Sequence, residues 1–266
     1  MKENKLDNFA NWVIKSKGFF CLAITLLALS SIIISILFFK NIIEINNYYF
    51  DEIKDIDDKS ISMNIYFRLV LTSLGSIFAT LGILLINRNN SNFFYFALTA
   101  TFLLAVNGFI SKLFFDALKW LAVGTILGTQ AIIWNVQDIK TKKIKKINLW
   151  FIFGLIIFLF IFGLLIGQFG IKKIPESSHF YNKKPILDPL QFLFTITGNI
   201  MIIMFILDSR IVYMIGNLLT SIMFLLITIQ GDILSFTQLI QGILYFVISF
   251  SGYIIMRERL KNERLL

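Results

Sequence analysis

The sequence predicts an all-α integral membrane protein with about eight transmembrane helices. Of its 266 residues, 57% are hydrophobic and only 15% are charged, whereas a soluble domain carries about 25% charged residues. The apolar residues are gathered into spans of about 20 residues, the length that a helix needs to cross about 30 Å of hydrocarbon. These spans lie near 19–39, 66–86, 93–110, 113–137, 147–170, 187–207, 210–230 and 233–256.

The basic residues indicate the topology of the chain. A net charge of +9 would suggest a nucleic-acid partner in a soluble protein, but here Lys and Arg lie in short loops and tails beside apolar spans. With the N-terminus in the cytoplasm, 15 of them fall on the inside and 8 on the outside. Because loops rich in positive charge stay in the cytoplasm, we expect a multi-pass protein of the cytoplasmic membrane with both termini inside and no nucleic-acid partner.

The lengths of the connections divide the chain into four sections. The first span, 19–39, is too long for a signal-peptide core and no A-x-A-like site follows it, so we interpret it as a retained helix. Short links join the second to fourth spans and the last three, and short links connect adjacent antiparallel helices. The sections are an N-terminal tail, extra helix and acidic loop (1–62), a first three-helix repeat (63–138), a linker helix with its flanking loops (139–186), and a second three-helix repeat with a basic tail (187–266).

Two groups of three helices separated by one helix predict a parallel repeat. The second group begins four spans after the first, so both run in the same direction through the membrane. In such repeats the substrate site lies between the halves near the midplane. The ends of the two groups also match weakly at an offset of 119 residues, Gln130-x3-Trp134-x2-Gln137 against Ser249-x3-Tyr253-x2-Met256.

One stretch at the end of the first repeat carries the most specific side chains. Gln130, Trp134 and Gln137 share one helical face because their spacing is i, i+4 and i+7. An aromatic plane flanked by two amides suits a flat heteroaromatic ligand that bears hydroxyls. Alternatively, Trp134 anchors the helix at the membrane interface and the amides bond to neighbouring helices. The stretch alone does not decide between these interpretations.

Polar residues in the other spans recur at spacings of three and four. A polar stripe on an apolar helix points into the bundle. For a single Thr or Ser, interhelical hydrogen bonding is a sufficient explanation, but amides and aromatic hydroxyls in several spans indicate a cavity filled with water or ligand. The candidate substrate contacts from these spans are Tyr95, Thr99, Asn199, Tyr213, Asn217, Gln241, Tyr245 and Tyr253.

Charged and reactive residues are scarce inside the spans. Asp116 and Lys119 are three residues apart and can pair along one helix face, while Arg68 can snorkel or approach Asp116. Catalytic and metal-binding motifs are absent from the sequence, so we expect a transporter rather than an enzyme, with no cofactor or metal. Cys21 lies in an apolar span and His179 in a polar loop, and neither is assigned a role.

Regions 66–138 and 187–257 resemble the PnuC family of vitamin-precursor transporters. The matching features are Leu113-Phe-Phe-Asp116-Ala-Leu118, Gln130-x3-Trp134, Leu187-Asp188, Asn217 with Thr220, and Gly252-Tyr253. The resemblance implies a SWEET-like bundle of three, one and three helices, often assembled as a homotrimer. It also implies a small-molecule substrate, with facilitated diffusion of nicotinamide riboside as the activity.

The chain departs from the family pattern where that pattern favours tryptophan or asparagine. The replacing residues are Gln137, Arg210, Tyr213, Ile248 and Met256. Relatives in the family are thought to carry thiamine or riboflavin, which are the first alternative substrates. A second alternative is the substrate-binding subunit of an ATP-driven vitamin importer, although such subunits typically have six helices and no repeat. A third, a membrane enzyme acting on lipid or a prenyl group, is disfavoured by the scarcity of embedded carboxylate and histidine residues.

Overall fold

Helices make up nearly all of the chain that the computed structural model describes, which is residues 5–39, 58–87, 92–136, 147–174, 184–204 and 206–263. This agrees with the predicted all-α class. The α-helices within these ranges are α1 (Lys5–Lys15), α2 (Lys17–Phe39), α3 (Asp58–Asn87), α4 (Phe93–Ile110), α5 (Phe114–Val136), α6 (Leu149–Leu165), α7 (Leu187–Ile203), α8 (Ser209–Ile229) and α9 (Phe236–Glu263).

Six segments of the described residues are long and apolar enough to cross a membrane. They are Lys17–Ile36, Tyr66–Leu85, Phe93–Ile110, Trp150–Lys173, Ser209–Ile229 and Ile233–Glu258. The two other predicted spans coincide with α5, which has 23 residues, and with α7, which has 17 residues. A multi-pass membrane protein is therefore confirmed, while the total of eight crossings remains a prediction.

The N-terminal tail contains a helix, α1, which was not predicted from the sequence. Its buried residues are Ala10, Val13 and Ile14, and this face packs on α9. Only Ser16 separates α1 from α2, and its hydroxyl accepts a hydrogen bond of 2.9 Å from the backbone N–H of Gly18. Since an isolated helix of 11 residues is marginal in water, contact with α9 is what stabilises α1.

The helix contacts form two groups of three. In the first group α4 packs against both α3 and α5, and in the second α8 packs against both α7 and α9. Between the groups, α5 packs on α7 and α3 packs on α9. If each helix of the first group is replaced by its counterpart in the second, the α5–α7 contact becomes the α9–α3 contact. A parallel repeat requires this equivalence. Helix α6 packs mainly on α7, and α2 packs on α3 and α9.

The turns that join the second and third helices of each group are built alike. In the first turn, Lys112 has a φ of 52°, and in the second Gly231 has a φ of 103°. Leu113 donates its backbone N–H to the carbonyl of Gly108 at 2.9 Å, and Asp232 donates to the carbonyl of Ile227 at 3.2 Å. A left-handed residue flanked by such a bond is the Schellman ending of a helix. Each of these residues lies 119 positions from its counterpart, which matches the offset found in the sequence.

Close approaches between helices also repeat. A Cβ added at Gly82 would lie 3.3 Å from the backbone nitrogen of Ala97 across the α3–α4 contact, and one added at Gly198 would lie 2.9 Å from the Cα of Tyr213 across the α7–α8 contact. Gly198 follows Gly82 by 116 positions, and Tyr213 follows Ala97 by the same number. Small residues let apolar helices approach closely, and here they do so at equivalent places in the two groups.

Candidate functional site

A cavity made of two adjoining chambers lies between the two helix groups. We name them after one lining residue each. The Arg210 chamber and its opening contain about 540 Å³ of empty space, lined by α3, α4, α5, α7, α8 and α9. The Asn217 chamber and its opening contain about 410 Å³, lined by α5, α7, α8 and α9. The side chains that line both chambers are Trp120, Val123, Tyr213 and Tyr245. Three aromatic side chains therefore lie where the chambers meet.

The chambers are displaced toward opposite ends of the bundle. The Arg210 chamber is lined by Leu127, late in α5, and by Arg210, in the first turn of α8. The Asn217 chamber is lined by Lys119, early in α5, and by Phe224, late in α8. With both termini in the cytoplasm, as the charge distribution predicts, the Arg210 chamber is the one nearer the cytoplasm.

Five of the residues proposed from the sequence line this cavity. Asn199, Tyr213 and Tyr245 line the Arg210 chamber, and Tyr213, Asn217, Gln241 and Tyr245 line the Asn217 chamber. All five are buried, so polar groups on three different helices converge on one space, as the polar stripes predicted. Their contact with a substrate stays a proposal.

Amide groups in the Asn217 chamber are partly satisfied within the protein. Asn217 donates through Nδ2 to the hydroxyl of Ser249 at 3.3 Å. The hydroxyl of Ser76 donates to Oε1 of Gln241 at 2.7 Å, whereas Nε2 of Gln241 is buried with no hydrogen-bond partner among the described residues. A buried amide donor without a partner is costly, so Gln241 is suited to donate to a polar group of a bound molecule.

The prediction for Tyr95 and Thr99 was wrong about the face of α4. Tyr95 is 71% exposed, and Thr99 is also exposed. The face that lines the cavity carries Ala97, Ala100 and Thr101 instead. Thr99 can face lipid because its hydroxyl donates to the carbonyl of Tyr95 at 2.9 Å, which satisfies the polar group within its own helix.

The remaining predicted residues are not brought to the cavity by the described part of the structure. Tyr253 is half-buried in α9 and lies outside the lining of both chambers. Gln130 and Trp134 belong to α5, but their side chains are outside what the structure describes. Gln137 lies outside the described residues altogether. The stacking role of Trp134 therefore remains a prediction.

Sequence reasoning missed Trp120, which lines both chambers. Trp120 is buried, and its Nε1 has no hydrogen-bond partner among the described residues. The Nζ of Lys119 lies 4.9 Å from the centroid of its ring, a cation–π distance. The available signal was spacing: Trp120 precedes Trp134 by 14 residues, which is close to four helical turns.

A charged network borders the Asn217 chamber at the seam between α5 and α7, where Lys119 and Thr220 belong to the chamber lining. Lys119 pairs with Asp116 on its own helix, as the i, i+3 spacing predicted. Its Nζ also donates to Oε1 of Gln191 at 2.8 Å. The same oxygen accepts from Thr220 at 3.0 Å, while Nε2 of Gln191 donates to Asp188 at 3.1 Å. Hydrogen bonds therefore join α5, α7 and α8 at this end of the bundle.

Arg68 pairs with a different carboxylate from the one suggested by the sequence. Its Nη2 lies 3.0 Å from Oδ2 of Asp232 and donates to the hydroxyl of Ser111 at 3.0 Å. Asp116, the suggested partner, is engaged by Lys119. The contact joins the third turn of α3 to the turns before α5 and α9, so it stabilises the α3–α9 seam.

The described residues contain no group of three or more His, Cys, Asp or Glu side chains that could hold a metal ion. The cavity is lined instead by aromatic rings, amides, hydroxyls and two cations, Lys119 and Arg210. Such a lining can stack on a flat ring and hydrogen-bond its substituents. Among the described lining residues, none has the carboxylate or imidazole expected of a general base.

Comparison with known proteins places the chain as follows. A family model described as a nicotinamide mononucleotide transporter matches residues 69–257, which is more than half of the chain. A solved structure described as the crystal structure of the vitamin B3 transporter PnuC is similar, with a TM-score of 0.57 and 15% sequence identity. The match covers 78% of this chain and 94% of that chain, and at this identity it concerns the fold. The search of curated proteins returned no match.

Proposed function

Because the chain belongs to the nicotinamide mononucleotide transporter family, we propose that it carries nicotinamide riboside or a related flat heteroaromatic vitamin precursor by facilitated diffusion. The family assignment confirms the resemblance to PnuC. Membership also agrees with a transporter rather than an enzyme. The identity of the substrate and the passive mechanism are the proposal.

The observation that carries the proposal is the composition of the cavity lining. Trp120, Tyr213 and Tyr245 present aromatic rings where the two chambers adjoin, and aromatic pairs contribute about 0.5–1.5 kcal/mol beyond the burial of their area. Asn217 and Gln241 supply amides beside them. This lining suits a planar ring that carries hydroxyl or carboxamide groups.

The helix arrangement supports passage between the two halves. The turns containing Lys112 and Gly231, together with the α5–α7 and α3–α9 seams, favour the SWEET-like arrangement of three, one and three helices. We propose eight crossings with both termini in the cytoplasm. The homotrimer implied by the resemblance is part of the same proposal.

The pairing of embedded charges favours a passive mechanism. Asp116 and Lys119 are buried and bound to each other, and Gln191 bonds to both. A carboxylate that takes up and releases protons during transport needs to become free of such partners. Net uptake would then depend on trapping the substrate inside the cell, for instance by phosphorylation.

Uptake of labelled substrate into proteoliposomes containing only this chain tests the proposal. We expect saturable entry of nicotinamide riboside that stops when the inside and outside concentrations are equal, with no further rise under an imposed proton gradient. Accumulation above the outside concentration would contradict facilitated diffusion. Unlabelled thiamine and riboflavin serve as competitors, and stronger competition by either would make it the substrate. No uptake without an added ATPase would favour the importer subunit.

A further inference from the structure

Arg210 is a cation in the cavity wall that forms no ion pair with a carboxylate of the described chain. It lies in the first turn of α8 and is 7% exposed. Its Nε is buried with no hydrogen-bond partner among the described residues, and no described carboxylate lies within salt-bridge distance of the side chain. The side chain lines the Arg210 chamber together with Asn199 and Tyr213.

The other embedded cations are paired. Arg68 binds Asp232, and Lys119 binds Asp116. Asp208, the acidic residue nearest to Arg210 in sequence, accepts a hydrogen bond of 3.2 Å from the backbone N–H of Ile147. Arg210 thus differs from the other two because its charge is compensated by no acidic residue of the described chain.

A buried charge without a partner is costly, and it marks a functional site when it lines a cavity. Guanidinium groups bind phosphate and carboxylate through two parallel N–H···O bonds. The chamber adjoins the aromatic rings of Trp120 and Tyr245, so a ligand stacked on those rings could extend an anionic group toward Arg210.

We propose that Arg210 forms an anion subsite. Because of this subsite, the transporter prefers heteroaromatic substrates that carry a phosphate or a carboxylate over nicotinamide riboside, which carries neither group. This deepens the proposed function and rests on it. Asn199 and Tyr213, which line the same wall, supply further hydrogen-bonding groups beside the guanidinium. The subsite lies in the chamber nearer the predicted cytoplasmic side.

Three probes and isothermal titration of the full-length protein in detergent test the subsite. The probes are nicotinamide riboside, its 5′-phosphate, and the riboside of nicotinic acid, whose carboxylate replaces the carboxamide. Because hydrogen bonds to charged groups are the stronger class, we expect at least one anionic probe to bind about 10- to 100-fold more tightly than nicotinamide riboside. The anionic probe that binds more tightly than nicotinamide riboside identifies which anionic group the subsite accepts.

Variants of Arg210 test whether this residue causes the preference for anionic probes. Arg210→Gln should bring the affinities for all three probes to within about threefold of one another, while Arg210→Lys, which keeps the charge but not the planar fork, should retain part of the preference. Arg257→Gln removes an exposed positive charge from α9 and should leave it unchanged. If Arg210→Gln does not fold, the wild-type and Arg210→Lys comparison still decides the matter.

The outcomes separate this inference from the proposed function. Equal affinity of the wild-type protein for all three probes would overturn the subsite and leave the transporter proposal standing. A preference for an anionic probe that survives in Arg210→Gln would also overturn it. Failure of the wild-type protein to bind any of the three would overturn both the subsite and the proposed substrate class.

Discussion

Lys112 and Gly231 occupy the same left-handed position in two helix-ending turns that lie 119 residues apart. Residues with a Cβ are sterically strained in this conformation, whereas glycine adopts it without steric cost. Lys112→Gly should therefore raise the free energy of unfolding by about 0.5–1 kcal/mol. Gly231→Ala should lower it by about 1–2 kcal/mol.

Thermal unfolding of the purified variants in detergent measures both effects. Gly154→Ala is the matched control, because an added Cβ there meets no atom within 4 Å and the residue lies inside α6. Alanine is favoured over glycine inside a helix, so this variant should be as stable as the wild type or more so. A Lys112→Gly protein less stable than the wild type, or a Gly231→Ala protein as stable as the wild type, would mean that the two turns are not equivalent.

The pair of Asp116 and Lys119 should be important for folding. Both side chains are almost fully buried, and removing one partner of a buried ion pair costs about 3–5 kcal/mol. Lys119→Met should therefore lower the unfolding midpoint strongly, and adding Asp116→Asn should recover part of the loss. Lys172→Met, at an exposed position, is the control. A Lys119→Met protein as stable as the wild type would mean that the pair makes no net contribution.

The two tryptophans of α5 should be stacking surfaces for the substrate ring. Loss of aromatic contact and of buried apolar area predicts that Trp120→Ala or Trp134→Ala weakens binding by about 2–4 kcal/mol, or about 30- to 1000-fold in Kd. Phenylalanine at either position should retain much of the affinity. Tyr95→Ala, on the exposed face of α4, should not change it. For Trp134, a Kd within about threefold of the wild type would indicate an interfacial anchor.

Cysteine labelling from either side of the membrane tests the predicted topology. In a Cys21→Ala background, single cysteines at Asp55→Cys and Lys142→Cys should react with an impermeant reagent from opposite sides. The reason is that the excess of Lys and Arg places the loop that contains Lys142 inside. Spheroplasts and inverted vesicles provide the two orientations. Reaction of both cysteines from the outside would contradict eight crossings with cytoplasmic termini.

The features that could be predicted from the sequence depend on local patterns. Helix spans follow from hydropathy over about 20 residues, and the Asp116–Lys119 pair follows from helical spacing. Arg68 pairs with Asp232, which is 164 positions away, and nothing local indicates that choice. Helix α1 was missed because its stability comes from contact with α9 rather than from its own 11 residues.

The cavity lining was predicted only in part for a related reason. The amides on α8 and α9 were found because a Gln or Asn inside a membrane requires a partner, which restricts the direction it faces. Thr99 imposes no such restriction, since its hydroxyl bonds within its own helix. Trp120 was missed because an apolar aromatic ring is equally stable against lipid and in a cavity, so its direction depends on tertiary packing.

Passage of substrate through the cavity between the helix groups is the central claim, and filling the cavity tests it most directly. Ala100 is buried and lines the Arg210 chamber, so Ala100→Phe places a ring in the path, whereas Leu98→Phe changes a residue of the exposed face of the same helix. With both variants shown to be folded, we expect the uptake of nicotinamide riboside into proteoliposomes to fall at least about tenfold for Ala100→Phe, with Leu98→Phe close to the wild type. Wild-type uptake by a folded Ala100→Phe protein would contradict the account.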